Sequence, residues 1–296
     1  MQLASVKPND LAVVRDGSLI LLGAQLARDG LLPQGASMID LITQYDRLRD
    51  PIAKAAANGA AIKLDPQRLH PPVERPSKLW AAASNYKRGS TGLEDARGRG
   101  SAQDSAAEEL LEAIFLKPPS AIIGPEASIL ISKRAETIFP ELELCVVIGK
   151  KSRNLSKDRA LEAVFGYTII LDVTARGPKW RKDLVQTRCV RKGFDTFAPT
   201  GPWITTKDEI ANPQNLAMRL WVNGELRQSA RTDAMINSVA DLVSYLSHIG
   251  TLNPGDLIAT GNPDDPAFQQ ELKPGDTVKV EIEGIGAMNL RVAKED

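Results

Sequence analysis

Between residues 277 and 282, Val278, Val280 and Ile282 alternate with Lys279 and Glu281. That period of two predicts an antiparallel strand with one buried face. Short apolar runs of this kind recur along the chain. LAVVRDGSLILL (11–22) predicts two strands joined by an Asp16-Gly17 hairpin turn. ELELCVVIG (141–149) and GYTIILDVTA (166–175) are further strands, and KLWAAASNY (78–86) is strand-like. Pro254-Gly255-Asp256 and Pro274-Gly275-Asp276 put proline and glycine where a type II turn needs them. Helical spacing is rarer. Ile39, Ile42, Leu48 and Ile52 predict one helix over 38–57. Val239, Leu242, Val243 and Leu246 predict another over 235–249, closed by Gly250. A shorter helix, KDRALEAVF, is expected between an N-cap at Ser156 and a C-cap at Gly166. Many short strands and few helices predict an α+β, mostly β fold, not a doubly wound parallel sheet. Proline-rich HPPVERP (70–76) marks an expected boundary between a small domain, 1–70, and a larger one, 71–296. The polar stretch 87–105 has no periodicity and reads as a long loop or mobile lid.

Charge narrows the partners. The 296 residues carry 37 basic and 37 acidic side chains, so bulk electrostatics give no pull toward nucleic acid or an acidic membrane. The aromatic residues are sparse and not interleaved with basic ones, which also speaks against nucleic acid. No apolar run reaches the roughly 20 residues of a membrane span, and MQLASVKPND lacks the basic and apolar regions of a signal peptide. Cys145 and Cys189 are too few for a disulfide framework, and Cys145, inside LELCVVIG, reads as a buried hydrophobe. A cytoplasmic protein acting on small molecules is the expectation. GRG (98–100) and GIG (284–286) lack the strand–turn–helix setting of a dinucleotide site. Walker A, HExxH and GxSxG patterns are absent, and His70 and His248 read as structural.

The chemistry-bearing candidates are acidic. Glu141 and Glu143 stand two apart on a strand, so both project from one face. A solvated strand face would look the same, but Pro140 and the apolar CVVIG place this pair at the mouth of a buried strand. Asp172 ends the next strand in the apolar setting YTIILDV, where a lone carboxylate would be costly. Three carboxylates without a nearby histidine or cysteine suit Mg²⁺ or Mn²⁺ better than zinc. With a divalent ion bound, about one negative charge would remain, and Lys192 is the expected neutralising partner. Arg176, Lys179, Arg181 and Lys182 form a basic run, either a solvated turn or an anion clamp for a dicarboxylate.

Several stretches together resemble the fumarylacetoacetate hydrolase family, in its 2-hydroxyhepta-2,4-diene-1,7-dioate isomerase and acylpyruvase-like branch. They are FPELELCVVIGKKSRNLSKDRALEAVFGYTIILDVTAR (139–176), KGFDTFAPTGPWI (192–204), LVSYLSHIGTLNPGDLIATGNP (242–263) and LKPGDTVKVEIEGIG (272–286). The resemblance covers most of 115–292 and implies a mixed β-sandwich roll with a small N-terminal α/β domain, assembled as a homodimer. It implies Mg²⁺ or Mn²⁺ held by Glu141, Glu143 and Asp172, with the catalytic Lys192 of the KGFD motif facing the substrate. It places Tyr86, Arg176, Lys179 and Asn262 around a 2-oxo acid or β-dicarbonyl. Hydrolysis, decarboxylation and tautomerisation all occur in the family, much of it in aromatic catabolism.

The chain also departs from the family pattern. Gly89 and Gly92 stand where many relatives carry the lid histidine and glutamate that activate water. Gly177 and Lys179 replace an aspartate and a glutamine, and Asn262 a threonine, with Asp264-Asp265 after it. Glu94, Asp95, Glu108 and Glu109 are the nearest replacement carboxylates for the lid pair. These changes lead us to expect a lid that is open without ligand, and activity leaning to decarboxylation or tautomerisation. The alternative is an impaired relative that binds a 2-oxo acid as a binding or regulatory protein.

Overall fold

The computed structural model describes residues 1–87, 111, 113–135, 137–176, 188–263 and 270–295. Two large mixed sheets carry most of its regular structure. The larger has eleven strands. Across it run Ala61–Lys63, Ser18–Leu21, Asp10–Arg15, Gln2–Val6, Ala198–Thr206, Val164–Leu171, Leu142–Ile148, Leu257–Ala259, Leu79–Ala81 and Phe115–Lys117. The eleventh, Ile122–Ile123, pairs in parallel with Ala198 and Pro199. The second sheet orders Glu225–Arg231, Ala217–Val222, Thr277–Ile282, Gly286–Lys294 and Ser128–Ile131. Leu142, Leu144, Val146 and Ile148 of the first sheet share one core with Met218, Leu220, Val280 and Ile282 of the second. The result is a β-sandwich roll, with helices Gly23–Arg28, Met38–Thr43 and Tyr45–Asn58 packed near the N-terminal strands. Among the described residues no helix is long and apolar enough to cross a membrane.

Local signals hold where the chemistry is local. Asp16 and Gly17 both take positive φ, 49° and 69°, and close the predicted hairpin as a type I′ turn would. Gly255 and Gly275, at φ 83° and 97°, supply the left-handed position of the two Pro-Gly-Asp turns. Each turn is locked by its aspartate, which accepts the backbone N–H of Asn253 or Lys273 at 2.7 Å. Val278, Val280 and Ile282 are buried as the alternation requires, and so is Cys145.

Three helix expectations change. The helix predicted over 38–57 is interrupted at Gln44. The one predicted from Met235 starts at Val239, because Ser238 and Asp241 form a capping box there. Met235 instead makes a bridge with Tyr86. The segment after Ser156 is a 3-10 turn over Lys157–Ala163, and Gly166 lies inside the next strand. The glycine serves close packing of strands: a Cβ there would lie 2.3 Å from the Thr205 carbonyl oxygen. Gly166→Ala is therefore expected to destabilise the protein by about 1–3 kcal/mol through overpacking. An unchanged urea midpoint would contradict this reading.

Candidate metal and substrate site

Strand alternation builds the site. Leu142, Leu144, Val146 and Ile148 face the inter-sheet core, while Cys145 and Val147 belong to the cluster on the other side. Glu141 and Glu143 share the parity of Cys145. On the neighbouring strand Ile170 belongs to that same cluster, and Asp172 shares its parity. The antiparallel register sets Leu142 opposite Leu171, and the Asp172 N–H donates to the Glu141 carbonyl at 2.8 Å. One carboxylate oxygen from each of Glu141, Glu143 and Asp172 lies within 4.8 Å of the others. Asp172 and Glu143 are buried, while the Glu141 side chain, 12% exposed, forms the lip.

Among the described residues three cations brace this triad. Lys192 donates to Glu141 Oε2 at 2.7 Å and to Asp172 Oδ2. Lys117 donates to Asp172 Oδ1 at 2.6 Å and to the Lys192 carbonyl. Arg176 donates to Glu141 Oε1 at 3.0 Å and stacks over the Phe139 ring. Lys192, the neutralising partner expected from sequence, pairs with Glu141 and Asp172 and is joined there by Lys117 and Arg176.

The balance is uneven from residue to residue. Burial would raise the Glu141 carboxyl, but Lys192 and Arg176 more than offset it and hold its pKa at about 2. Burial would likewise lower the Lys192 ammonium, yet Asp172 and Glu141 raise it instead. Lys192 is therefore a cation at neutral pH. Lys117 moves the other way, lowered chiefly by its burial. Glu143 has no salt bridge among the described residues. Its carboxylate accepts one hydrogen bond, from the Gly261 N–H at 2.6 Å. Burial, then the Asp172 charge, pushes its pKa well up.

A buried carboxylate without a cation, beside two more oxygen donors, fits a hard divalent ion such as Mg²⁺ or Mn²⁺. An ion takes the ionised form of Glu143, which burial disfavours. Mn²⁺ affinity is thus expected to rise with pH, with proton release on binding. Calorimetry in buffers of different ionisation enthalpy measures this; pH-independent binding without proton release would contradict it.

Sequence reasoning missed three supporting residues. Lys117 ends a strand as a polar residue, but it shares the parity of buried Phe115, and that alternation is the signal for it. Gly261, at φ 91°, turns its N–H onto Glu143, and a Cβ there would meet the Asn85 Cβ at 2.9 Å. Buried Asn85 holds that segment by donating to the Thr260 and Asn237 carbonyls, both at 2.9 Å.

The remaining sequence candidates sit at varying distance from the triad. Tyr86 is buried, with its hydroxyl 3.3 Å from Met218 Sδ and its pKa raised by burial and then by Glu143. Asn262 is half-buried beside Gly261. Lys179, Arg181, Lys182, Gly177, Asp264-Asp265, Gly89, Gly92 and the lid carboxylates Glu94, Asp95, Glu108 and Glu109 lie outside the described residues. His248 is exposed and bonds the Ser244 carbonyl through Nδ1, as a structural histidine does.

Comparison with known proteins carries the same pattern. Residues 78–293 match the family model described as fumarylacetoacetate (FAA) hydrolase C-terminal. The maleylpyruvate hydrolase of Aquipseudomonas alcaligenes is 36% identical over 253 residues, 85% of each chain. A crystal structure of maleylpyruvate hydrolase from Sphingobium sp. SYK-6, in complex with manganese(II) and pyruvate, superposes with a TM-score of 0.82 at 32% identity over 100% of both chains. The 2-hydroxyhepta-2,4-diene-1,7-dioate isomerase of Mycobacterium marinum gives 0.64 at 35% identity, covering 80% of this chain and 82% of its own.

Proposed function

The chain belongs to the fumarylacetoacetate hydrolase family of enzymes, and from that premise we propose a divalent-metal-dependent enzyme acting on a 2-oxo acid or β-dicarbonyl. The observation that carries this reading is the buried triad of Glu141, Glu143 and Asp172, in which Glu143 lacks a cationic partner among the described residues. In this reading those three residues hold Mg²⁺ or Mn²⁺, and residues 71–296 are the catalytic unit that 1–70 accompany. Support comes from the related hydrolase in complex with manganese(II) and pyruvate.

When bound, the ion supplies a Lewis acid that polarises the keto oxygen of a chelating substrate. The chain's own residues do the rest. Lys192, kept charged by Asp172 and Glu141, holds a proton at Nζ and offsets negative charge developing on that oxygen. Lys117, fully buried, holds Asp172 and the Lys192 backbone in register. Arg176 and Tyr86 line the approach, with Lys179 and Asn262 in the substrate shell.

We favour decarboxylation or tautomerisation, because Gly89 and Gly92 stand where a water-activating pair would be. The full-length likeness to a maleylpyruvate hydrolase favours hydrolysis as the second reading. The Mn²⁺-loaded protein assayed on oxaloacetate and on maleylpyruvate separates them. Faster turnover of oxaloacetate is expected, with Lys192→Met lowering kcat about 10²–10³-fold. Faster hydrolysis of maleylpyruvate would select the second reading, and no turnover of either would sink both.

A further inference from the structure

The short helix Arg188–Arg191 leads directly into Lys192, whose N–H donates to the Arg188 carbonyl at 3.0 Å. Its two arginines stand three apart and so lie on one side of the turn. Both are half-buried, whereas Cys189 and Val190 between them are exposed. Among the described residues the buried Arg191 Nε has no hydrogen-bond partner, and Arg188 reaches the Ala113 carbonyl alone, at 3.4 Å. Among the described residues neither guanidinium meets a carboxylate within ion-pair distance. An unpaired buried donor of this kind is costly in a native protein unless something else satisfies it.

The surrounding charge says what that something is. Among the described residues the ionised triad's three charges stand against three from Lys117, Lys192 and Arg176, although none of these pairs with Glu143. Arg188 and Arg191 are therefore two positive charges in excess, in a chain whose totals balance at 37 and 37. Arg191 directly precedes Lys192, whose Nζ donates to Glu141 and Asp172, so the helix ends beside the triad. A guanidinium cannot relieve this excess by losing its proton. A divalent ion in the triad would raise the local excess to about four. A 2-oxo monocarboxylate returns one charge, and a second carboxylate returns another. Guanidinium suits that second group because its fork of donors matches a carboxylate.

We propose that Arg191, backed by Arg188, forms an anion subsite beside the carboxylate triad that takes the distal carboxylate of a dicarboxylic 2-oxo acid and thereby sets substrate choice. This rests on the functional reading above and adds the second anchoring point. Arg176 does not serve as that anchor, because Glu141 already engages it.

Calorimetry on the Mn²⁺-loaded full chain tests the subsite with length-matched pairs: 2-oxoglutarate against 2-oxovalerate, and 2-oxoadipate against 2-oxohexanoate. At one length or both, the diacid is expected to bind at least about tenfold tighter, as a charge-assisted pair would give. Arg191→Met should remove that preference and leave the monoacid Kd and the Mn²⁺ affinity within about twofold. Arg191→Lys should restore part of it, which separates lost charge from lost folding. Equal binding of diacid and monoacid by the parent, or a preference that survives Arg191→Met, would overturn the subsite alone. Failure of every 2-oxo acid to bind the Mn²⁺-loaded protein would overturn the functional reading and the subsite with it.

Discussion

Replacing Lys117 by methionine is expected to destabilise the protein by about 3 kcal/mol, the lower end of the cost of breaking a buried ion pair. Lys117 and Asp172 are 0% and 1% exposed, so neither can turn to water when its partner is lost. Methionine matches the length of the lysine stem, so little cavity forms and the lost charge dominates. The cost stays at the lower end because Lys192 still faces the second Asp172 oxygen. For a chain of this size the melting temperature should fall by about 5 °C. Asp172→Asn in the Lys117→Met background should recover part of the loss, since the two substitutions remove opposite ends of one interaction. A fall of under about 2 °C, or strict additivity in the double variant, would show that the pair is not coupled as its geometry demands.

Glu143→Gln is expected to have two effects of opposite sign. Without metal it should stabilise the fold at pH values that ionise Glu143, because it replaces a poorly solvated buried carboxylate by a neutral amide of the same shape. The sign follows from linkage. Burial raises the folded-state pKa of Glu143 above the ordinary 4.5. Its contribution is therefore full below that value and is lost as pH rises through the raised one. The parent without metal should lose stability over that interval, and the variant should lose less. With Mn²⁺ the order reverses. Removing a direct ligand should weaken binding at least about 100-fold, beyond what loss of an outer partner costs. Melting curves with and without Mn²⁺ read both effects, and equal Mn²⁺ stabilisation of parent and variant would remove Glu143 from the site.

What the sequence could disclose follows from the range of the interactions. The Glu141–Glu143 pair was legible because alternation along a strand is local, and Asp172 because an acid inside YTIILDV has few structural reasons to be there. The Asp16-Gly17 hairpin and the Gly255 and Gly275 turns were legible for the same reason, since positive φ is a property of single residues. Gly166 misled because a glycine after a helical turn looks like a C-cap, while its true constraint comes from Thr205, far along the chain. Lys117 escaped notice because its burial and its two partners come from the Asp172 and Lys192 segments. The same holds for Asn85 and Gly261, whose hydrogen bonds tie together segments distant in sequence. The family resemblance supplied the assembly of motifs, but not the bracing of Glu141 and Asp172 by Lys117, Lys192 and Arg176. That bracing joins side chains from four separate segments.

The central claim is that Glu141, Glu143 and Asp172 hold a divalent ion on which a 2-oxo acid is anchored. Crystals soaked with Mn²⁺ and oxalate, with data collected for manganese anomalous scattering, test it most directly. The account predicts one strong anomalous peak about 2.1–2.3 Å from an oxygen of each of the three carboxylates, with oxalate completing its coordination and Lys192 beside the ligand. A peak elsewhere, or no peak among these carboxylates at saturating Mn²⁺, would contradict it.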